Sequence, residues 1–278
     1  MEKYRSIFQV ARMAKILNVS RSGFYSYLKR PRSVRELANE QLLEKIKEVH
    51  KRSHQIYGYQ RITHALKNDG APSKNRVHRL MKKHDIRSKT VKKYRATTNS
   101  SHNLPVAENI LNRNFTADKP NQKWVSDITY IATDEGWLYL AGVMDLCGRV
   151  MVGFSMAKHM KKSLVIDALR QAIGRTGAVK GLIVHSDRGV QYASKEYQVI
   201  LTKNNYICSM SRKGNCYDNA PIESFWGKLK QEWLYHQRFK TRAQARDAVF
   251  EYIEVFYNRQ RLHSTLGYQI PMTLLKAT

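Results

Sequence analysis

From residue 123 onward the chain reads as three consecutive strands, a helix and a fourth strand, an order that few folds accommodate. Residues 124–131, 137–143 and 149–156 are rich in β-branched, aromatic and aliphatic side chains, and the turn residues Asp134-Glu135-Gly136 and Cys147-Gly148 separate them. Residues 163–173 place Leu164, Ala168 and Leu169 at helical spacing, and 181–184 is a short, nearly all-apolar run of the kind found inside a sheet. A helix near 195–204, a strand near 206–210, a long helix over 221–233 and another over 242–257 continue the alternation. The pattern predicts an α/β domain with a mixed sheet over 120–278, ending in a helix and a basic tail.

The preceding residues read as helices. Over 1–35, Val10, Met13, Ala14 and Leu17 have helical spacing, and Ser20 can cap a second helix carrying Phe24, Tyr25 and Leu28. That shape suits a helix-turn-helix or an ordinary helical hairpin. Over 36–90, Leu42, Leu43, Ile46 and Val49 line one helix, and Tyr59, Ile62 and Leu66 the next. Ser73 can cap a third with Val77, Leu80 and Met81 inward, leaving Arg76, Arg79, Lys82 and Lys83 on its other faces, where they suit DNA groove or backbone contacts. Residues 91–119, basic and then polar, read as a linker.

Charge says what such a chain meets. There are 49 Lys and Arg against 22 Asp and Glu, a net +27, and positions 1–119 hold 27 of the basic but only 9 of the acidic residues. Self-repulsion on this scale points to a polyanionic partner, and nucleic acid fits best. Three scattered cysteines exclude a disulfide scaffold or a Cys-rich zinc site. No run approaches the roughly 18 apolar residues of a membrane span, so a cytoplasmic, nucleoid-associated protein with no membrane partner is expected.

Three carboxylates stand where carboxylates are costly or exposed to ligands. Asp127 interrupts an apolar strand, Asp187 follows the carboxyl end of another, and Glu223 opens a helix whose stripe of Ile222, Phe225, Leu229 and Trp233 must pack inward. Lys230 lies seven residues on, nearly the same face after two turns. Hard oxygen ligands favour Mg²⁺, with Mn²⁺ substituting, and a pair of such ions serves phosphodiester chemistry. Asp145, Asp167 and Asp218 are rival acids, with Asp218 a possible cap for the 221–233 helix, and spacing alone does not choose among them. His185 could orient an active-site carboxylate or phosphate, or be structural.

The segments Trp124-Val125-Ser126-Asp127-Ile128-Thr129-Tyr130, His185-Ser186-Asp187-Arg188-Gly189-Val190-Gln191-Tyr192, Gly214-Asn215-Cys216-Tyr217-Asp218-Asn219-Ala220 with Glu223-Ser224-Phe225, and Tyr257-Asn258-Arg259 through Arg261, His263 and Pro271 resemble signatures of bacterial insertion-sequence transposases. The group is the one whose enzyme derives from two overlapping reading frames. The resemblance spans nearly the whole chain, including the 35 residues between Asp187 and Glu223. It implies an RNase H-like, retroviral-integrase-like core with a five-stranded mixed sheet, and metal-dependent cleavage and strand transfer at insertion-sequence ends. Asp127, Asp187 and Glu223 would hold two Mg²⁺ ions. Lys230 would contact phosphate near the transferred end, Trp226 and Arg188 would neighbour the site, and His185 and Arg261 would add to the DNA contacts. Implied partners are terminal-repeat and target DNA, further copies of the chain in the DNA complex, and the upstream-frame product as fusion or partner. Two other readings stay open: a DNA-binding regulator of transposition, and a metal-dependent nuclease or recombinase outside transposition.

Overall fold

The structure, a computed structural model, describes residues 1–89, 106–177, 179–213 and 215–276. Most of the basic part of the expected linker therefore lies outside the described residues, as does Gly214. Five helices come first: α1 (Val10–Ile16), α2 (Arg21–Lys29), α3 (Val34–Arg52), α4 (Tyr59–Ala65) and α5 (Lys74–Lys83). Side-chain caps set their starts. Ser20 accepts from the Gly23 N–H, Ser73 from the Arg76 N–H, and Ser33 forms a reciprocal capping box with Glu36. The first pair buries little beyond Ala14, whereas α3, α4 and α5 enclose Ile46, Ile62, Leu66 and Val77 completely.

The α/β part contains β1 (Lys123–Thr133), β2 (Gly136–Asp145), β3 (Met151–Ala157), α6 (Lys162–Thr176), β4 (Ile183–Ser186), α7 (Lys195–Lys203), β5 (Ile207–Met210), α8 (Ala220–Glu232), α9 (Arg242–Phe250) and α10 (Pro271–Lys276). The sheet order is β3-β2-β1-β4-β5, with antiparallel pairing among the first three strands and parallel pairing of β1 with β4 and β4 with β5. One core groups Trp124, Ala141 and Val143 of the sheet with α6 and α7 residues such as Leu169 and Tyr197. The other groups Val125, Leu140 and Met144 with Phe225 and Leu229 of α8, and runs on without a break into α3, α4 and α5. Period-2 alternation along β1 and β2 feeds both cores, so β1 is buried at the centre of the sheet.

Two expected elements differ. The fourth strand extends through His185 and Ser186 because each of these polar residues finds a partner: the His185 ring bonds both Ser209 Oγ and Ser211 Oγ, and the Ser186 carbonyl accepts from the Ser211 N–H. The helix expected over 242–257 changes pitch, becoming a π-helical segment at Glu251–Tyr257 that buries Tyr252, Ile253, Phe256 and Tyr257.

The helical module is fastened to the α/β half by specific bonds. The Tyr57 hydroxyl donates to the Gln260 carbonyl (3.2 Å) and accepts from the Leu262 N–H (2.7 Å). Arg61 Nε donates to the Leu262 carbonyl at 3.2 Å, and His64 stacks on Tyr268 with centroids 3.7 Å apart. Beneath them Glu232, at the end of α8, accepts two bonds from Arg261 (2.7 and 2.5 Å) and one from the Tyr252 hydroxyl (2.8 Å). Burial raises the Glu232 carboxyl's affinity for a proton, but the Arg261 and Arg61 cations outweigh it and hold the group below its usual range.

Candidate active site

The sheet register builds the site. β1 and β4 run parallel and pair Ser126 with Ser186, so the next residues, Asp127 midway along β1 and Asp187 just past the end of β4, stand side by side. There the pairing of these two strands stops, at the carboxyl end of β4, where α/β folds place their ligands. Asp187 is steadied by its own turn, its Oδ1 accepting from the Gly189 N–H at 2.9 Å. A Cβ on Gly189 would stand 3.0 Å from that same oxygen and 3.0 Å from Gln191 Oε1, which accounts for glycine there.

Asp127 is held from the other side. Its cross-strand partner is Gly142, and the indole of Trp226 lies in the space that a Gly142 side chain would fill. From there Trp226 Nε1 donates to Asp127 Oδ2 at 3.0 Å. Glu223 is exposed in the first turn of α8, and Asn219 anchors that turn to β1 by donating to the Ser126 carbonyl at 3.0 Å.

The three acids feel one another. Burial, then the charge of Asp187, then that of Glu223 push the Asp127 carboxyl well above its ordinary range. Burial and Asp187 likewise raise Glu223. Tyr192, whose hydroxyl sits 3.1 Å from Ser126 Oγ, is pushed up by burial and by both aspartates. Among the described residues, however, no three acid, histidine or cysteine side chains are gathered closely enough to grip one metal ion. The trio shares a mouth without being closed around a point. Like charges facing one another with oxygen donors alone form a donor set that suits a hard divalent cation.

Lys230 reaches the same region, its Nζ 5.0 Å from the centre of the Tyr130 ring; burial lowers its proton affinity while Asp127 opposes that shift. Arg188 Nε donates to the Ser211 carbonyl at 2.6 Å. On α5, Arg79, Lys82 and Lys83 are exposed, while Arg76 is partly buried and bonds Asn39 at 2.8 Å.

Two residues expected on DNA are enclosed by protein. His185 is 0% exposed between Ser209 and Ser211, and burial lowers its pKa to about 4, so it is a neutral link between β4 and β5. Arg261 is 1% exposed and committed to Glu232. As they stand, neither side chain is placed to meet DNA. The rival acids Asp145 and Asp218 are structural. Asp145 accepts from the backbone of Asn121, Cys147 and Gly148 and from the Trp124 indole. Asp218 is clamped by Arg212, Arg113 and Asn109, and the bonds from Arg212 hold it far below the carboxylate range. It does not cap α8, whose start at Asn219 carries no side-chain cap. Gly142 escaped sequence reading, and Asn219 and Tyr192 entered it only within signature segments, with no role assigned. Only the apolar run around Gly142 hinted that something large must cover a bare strand position.

An integrase core domain family matches residues 117–216, and a second integrase core domain family matches 205–271. An HTH-like domain family matches 36–94. The chain is 48% identical over 256 residues to an uncharacterized 31 kDa protein of insertion element IS600 from Shigella sonnei, covering 92% of this chain and 94% of that one. It is 42% identical over 270 residues to transposase InsF of insertion sequence IS3A from Escherichia coli K12, covering 96% and 94%. In fold it is similar to a chain of a simian T-cell lymphotropic virus intasome solved with a PP2A regulatory subunit, at TM-score 0.50 and 18% identity, over 84% of this chain and 75% of that one.

Proposed function

Because the chain belongs to the insertion-sequence transposases that carry an integrase core and an HTH-like domain, we propose that Asp127, Asp187 and Glu223 are its catalytic acids. They hold divalent metal for cleavage and strand transfer at the ends of the element. The observation that carries this is the pairing of Ser126 with Ser186, which sets the Asp127 and Asp187 carboxylates side by side, with the charge of Asp187 adding to burial in raising the proton affinity of both Asp127 and Glu223.

Mg²⁺, or Mn²⁺ in its place, bound as a pair of ions, would activate the attacking oxygen and neutralise charge on the phosphodiester. The chain's own groups do the rest. Trp226 steadies the rotamer of Asp127 through its indole N–H to Oδ2, and the Ile128 backbone N–H adds a second bond. The turn at Gly189 steadies Asp187 by a bond to its Oδ1. Lys230 offers a cation beside these acids to a phosphate of the scissile strand. Arg79, Lys82 and Lys83 on α5 grip the flanking duplex, chiefly through its backbone. The excess of basic residues in the first 119 positions suits that division of labour, with DNA held by the helices and cut at the sheet. Assembly with further copies of the chain, and with the upstream-frame product, belongs to the same reading.

The test is Asp187→Asn in a Mg²⁺-dependent cleavage and joining assay on duplexes carrying the element's ends, run with this chain alone and with the upstream-frame product fused to it. Cleavage and joining are expected to fall to background with duplex affinity unchanged, since a ligand is lost and no surface cation is. Turnover at the wild-type rate in the variant would remove Asp187 from the chemistry.

A further inference from the structure

Pairing of β1 with β4 ends at Ser126, and beyond it, beside Lys230, the surface opens into a cleft of about 350 Å³. Tyr130, Trp137, Leu234, Tyr235 and Phe239 line it together with Lys230. Tyr130 and Trp137 meet edge to face with centroids 4.8 Å apart, and Lys230 stands over the Tyr130 ring. Trp137 is 49% exposed and Tyr235 41% exposed. Two large rings are thus half in water around an opening with a buried ammonium at its edge.

We propose that this cleft receives a single nucleobase unstacked from DNA, its flat face against Trp137 and Tyr235 and its phosphate toward Lys230. The inference rests on the reading that this protein works on DNA ends. Aromatic faces accept any base by stacking, without a hydrogen-bond code, and a cation at the rim answers the phosphate that each base carries with it. A hydrophobic peptide would gain nothing from Lys230, and a purely electrostatic groove would not need four aromatic rings. The position matters as much as the composition. Tyr130 stands three residues along β1 from Asp127 and Lys230 two turns along α8 from Glu223, so a base seated here belongs to a nucleotide close to the one being attacked. Drawing that base out of the duplex frays the end and exposes the scissile linkage to the acids.

The experiment reads binding in the absence of divalent metal, using the full chain and three labelled duplexes: one blunt, one with a short single-stranded thymidine overhang, and one whose overhang is abasic. Wild type is expected to prefer the thymidine overhang to the abasic one by about tenfold, within the range of single aromatic–base stacks. Trp137→Ala and Tyr235→Ala are expected to bring that preference to near parity while leaving affinity for the blunt duplex unchanged, and Trp137→Phe to retain it. A thymidine preference that survives both alanine variants, or that is missing in wild type, overturns the proposal. So does a shift of Trp137→Ala to a smaller species in sedimentation, which would make the cleft a contact between copies. Asp187→Asn keeps the preference. A preference that persists while Asp187→Asn cleaves at the wild-type rate would therefore sink the catalytic reading and leave this one standing.

Discussion

Asp127 is where the competing forces on this chain meet. Its carboxylate pays for burial and for two like-charged neighbours, and recovers part of that through hydrogen bonds from the Ile128 backbone N–H and the Trp226 indole. A carboxyl with a raised folded-state pKa supports the fold below its unfolded pKa and loses that support as pH rises through the folded value. At neutral pH the metal-free protein therefore carries a cost at this position. Asp127→Asn keeps an oxygen for the Trp226 N–H and removes the repulsion, so it is expected to stabilise the metal-free protein by on the order of 1 kcal/mol, a rise of about 2–4 °C in Tm. Millimolar Mg²⁺ is expected to raise the Tm of wild type but not of the variant, since ligands that bind only the folded state stabilise it. Differential scanning fluorimetry with and without Mg²⁺ checks both. A variant less stable than wild type without metal would show that the acids do not strain the empty site.

Among the elements, the contact between β2 and α8 decides the geometry. A Cβ at Gly142 would stand 2.5 Å from Met151 Cε and 2.7 Å from the Trp226 ring. Gly142→Ala should cost about 1–3 kcal/mol by overpacking and, by tilting Trp226 away from Asp127, depress cleavage more than its effect on Tm explains. Thermal melts beside initial cleavage rates separate the two effects, and a rate that falls only in step with stability would deny the indole its positioning role. Strands and helices were legible in the sequence because their periods differ: 124–131 became Lys123–Thr133, and 221–233 became Ala220–Glu232. Asp127 stood out because a carboxylate inside an apolar strand demands an explanation, while the choice of Asp187 and Glu223 over rival acids came from the family resemblance. Partnerships across the sheet were not legible. No period in the chain says that Gly142 faces Asp127, that Ser209 and Ser211 would draw His185 into a strand, or that Arg261 is internal while Arg79 is not. Those depend on register, which forms only when distant segments pair.

Across the whole molecule, the Glu232–Arg261 pair of the α/β half lies under the seam with the helices, where Arg61 approaches it. Neither can lose its partner cheaply: Arg261 is fully enclosed, and Glu232 also anchors Tyr252 and approaches Arg61 at 3.9 Å. Glu232→Gln strands a buried guanidinium and is expected to cost about 3–5 kcal/mol, with protease sensitivity rising in residues 36–86. Glu40→Gln, which breaks the exposed pair with Arg32, should cost less than about 1 kcal/mol. Urea melts of the two variants test the contrast, and equal losses would mean that the enclosed network is ordinary surface electrostatics. The bonds of Tyr57 to Gln260 and Leu262 add a further consequence. Were α5 to grip duplex as proposed, that strap would make the protein a ruler: the linkage brought to Asp127, Asp187 and Glu223 would be chosen by its span from the gripped stretch, not by its letters. An extra base pair between grip and blade would present the neighbouring linkage, displaced by about 3.4 Å along the axis and rotated by about a tenth of a turn.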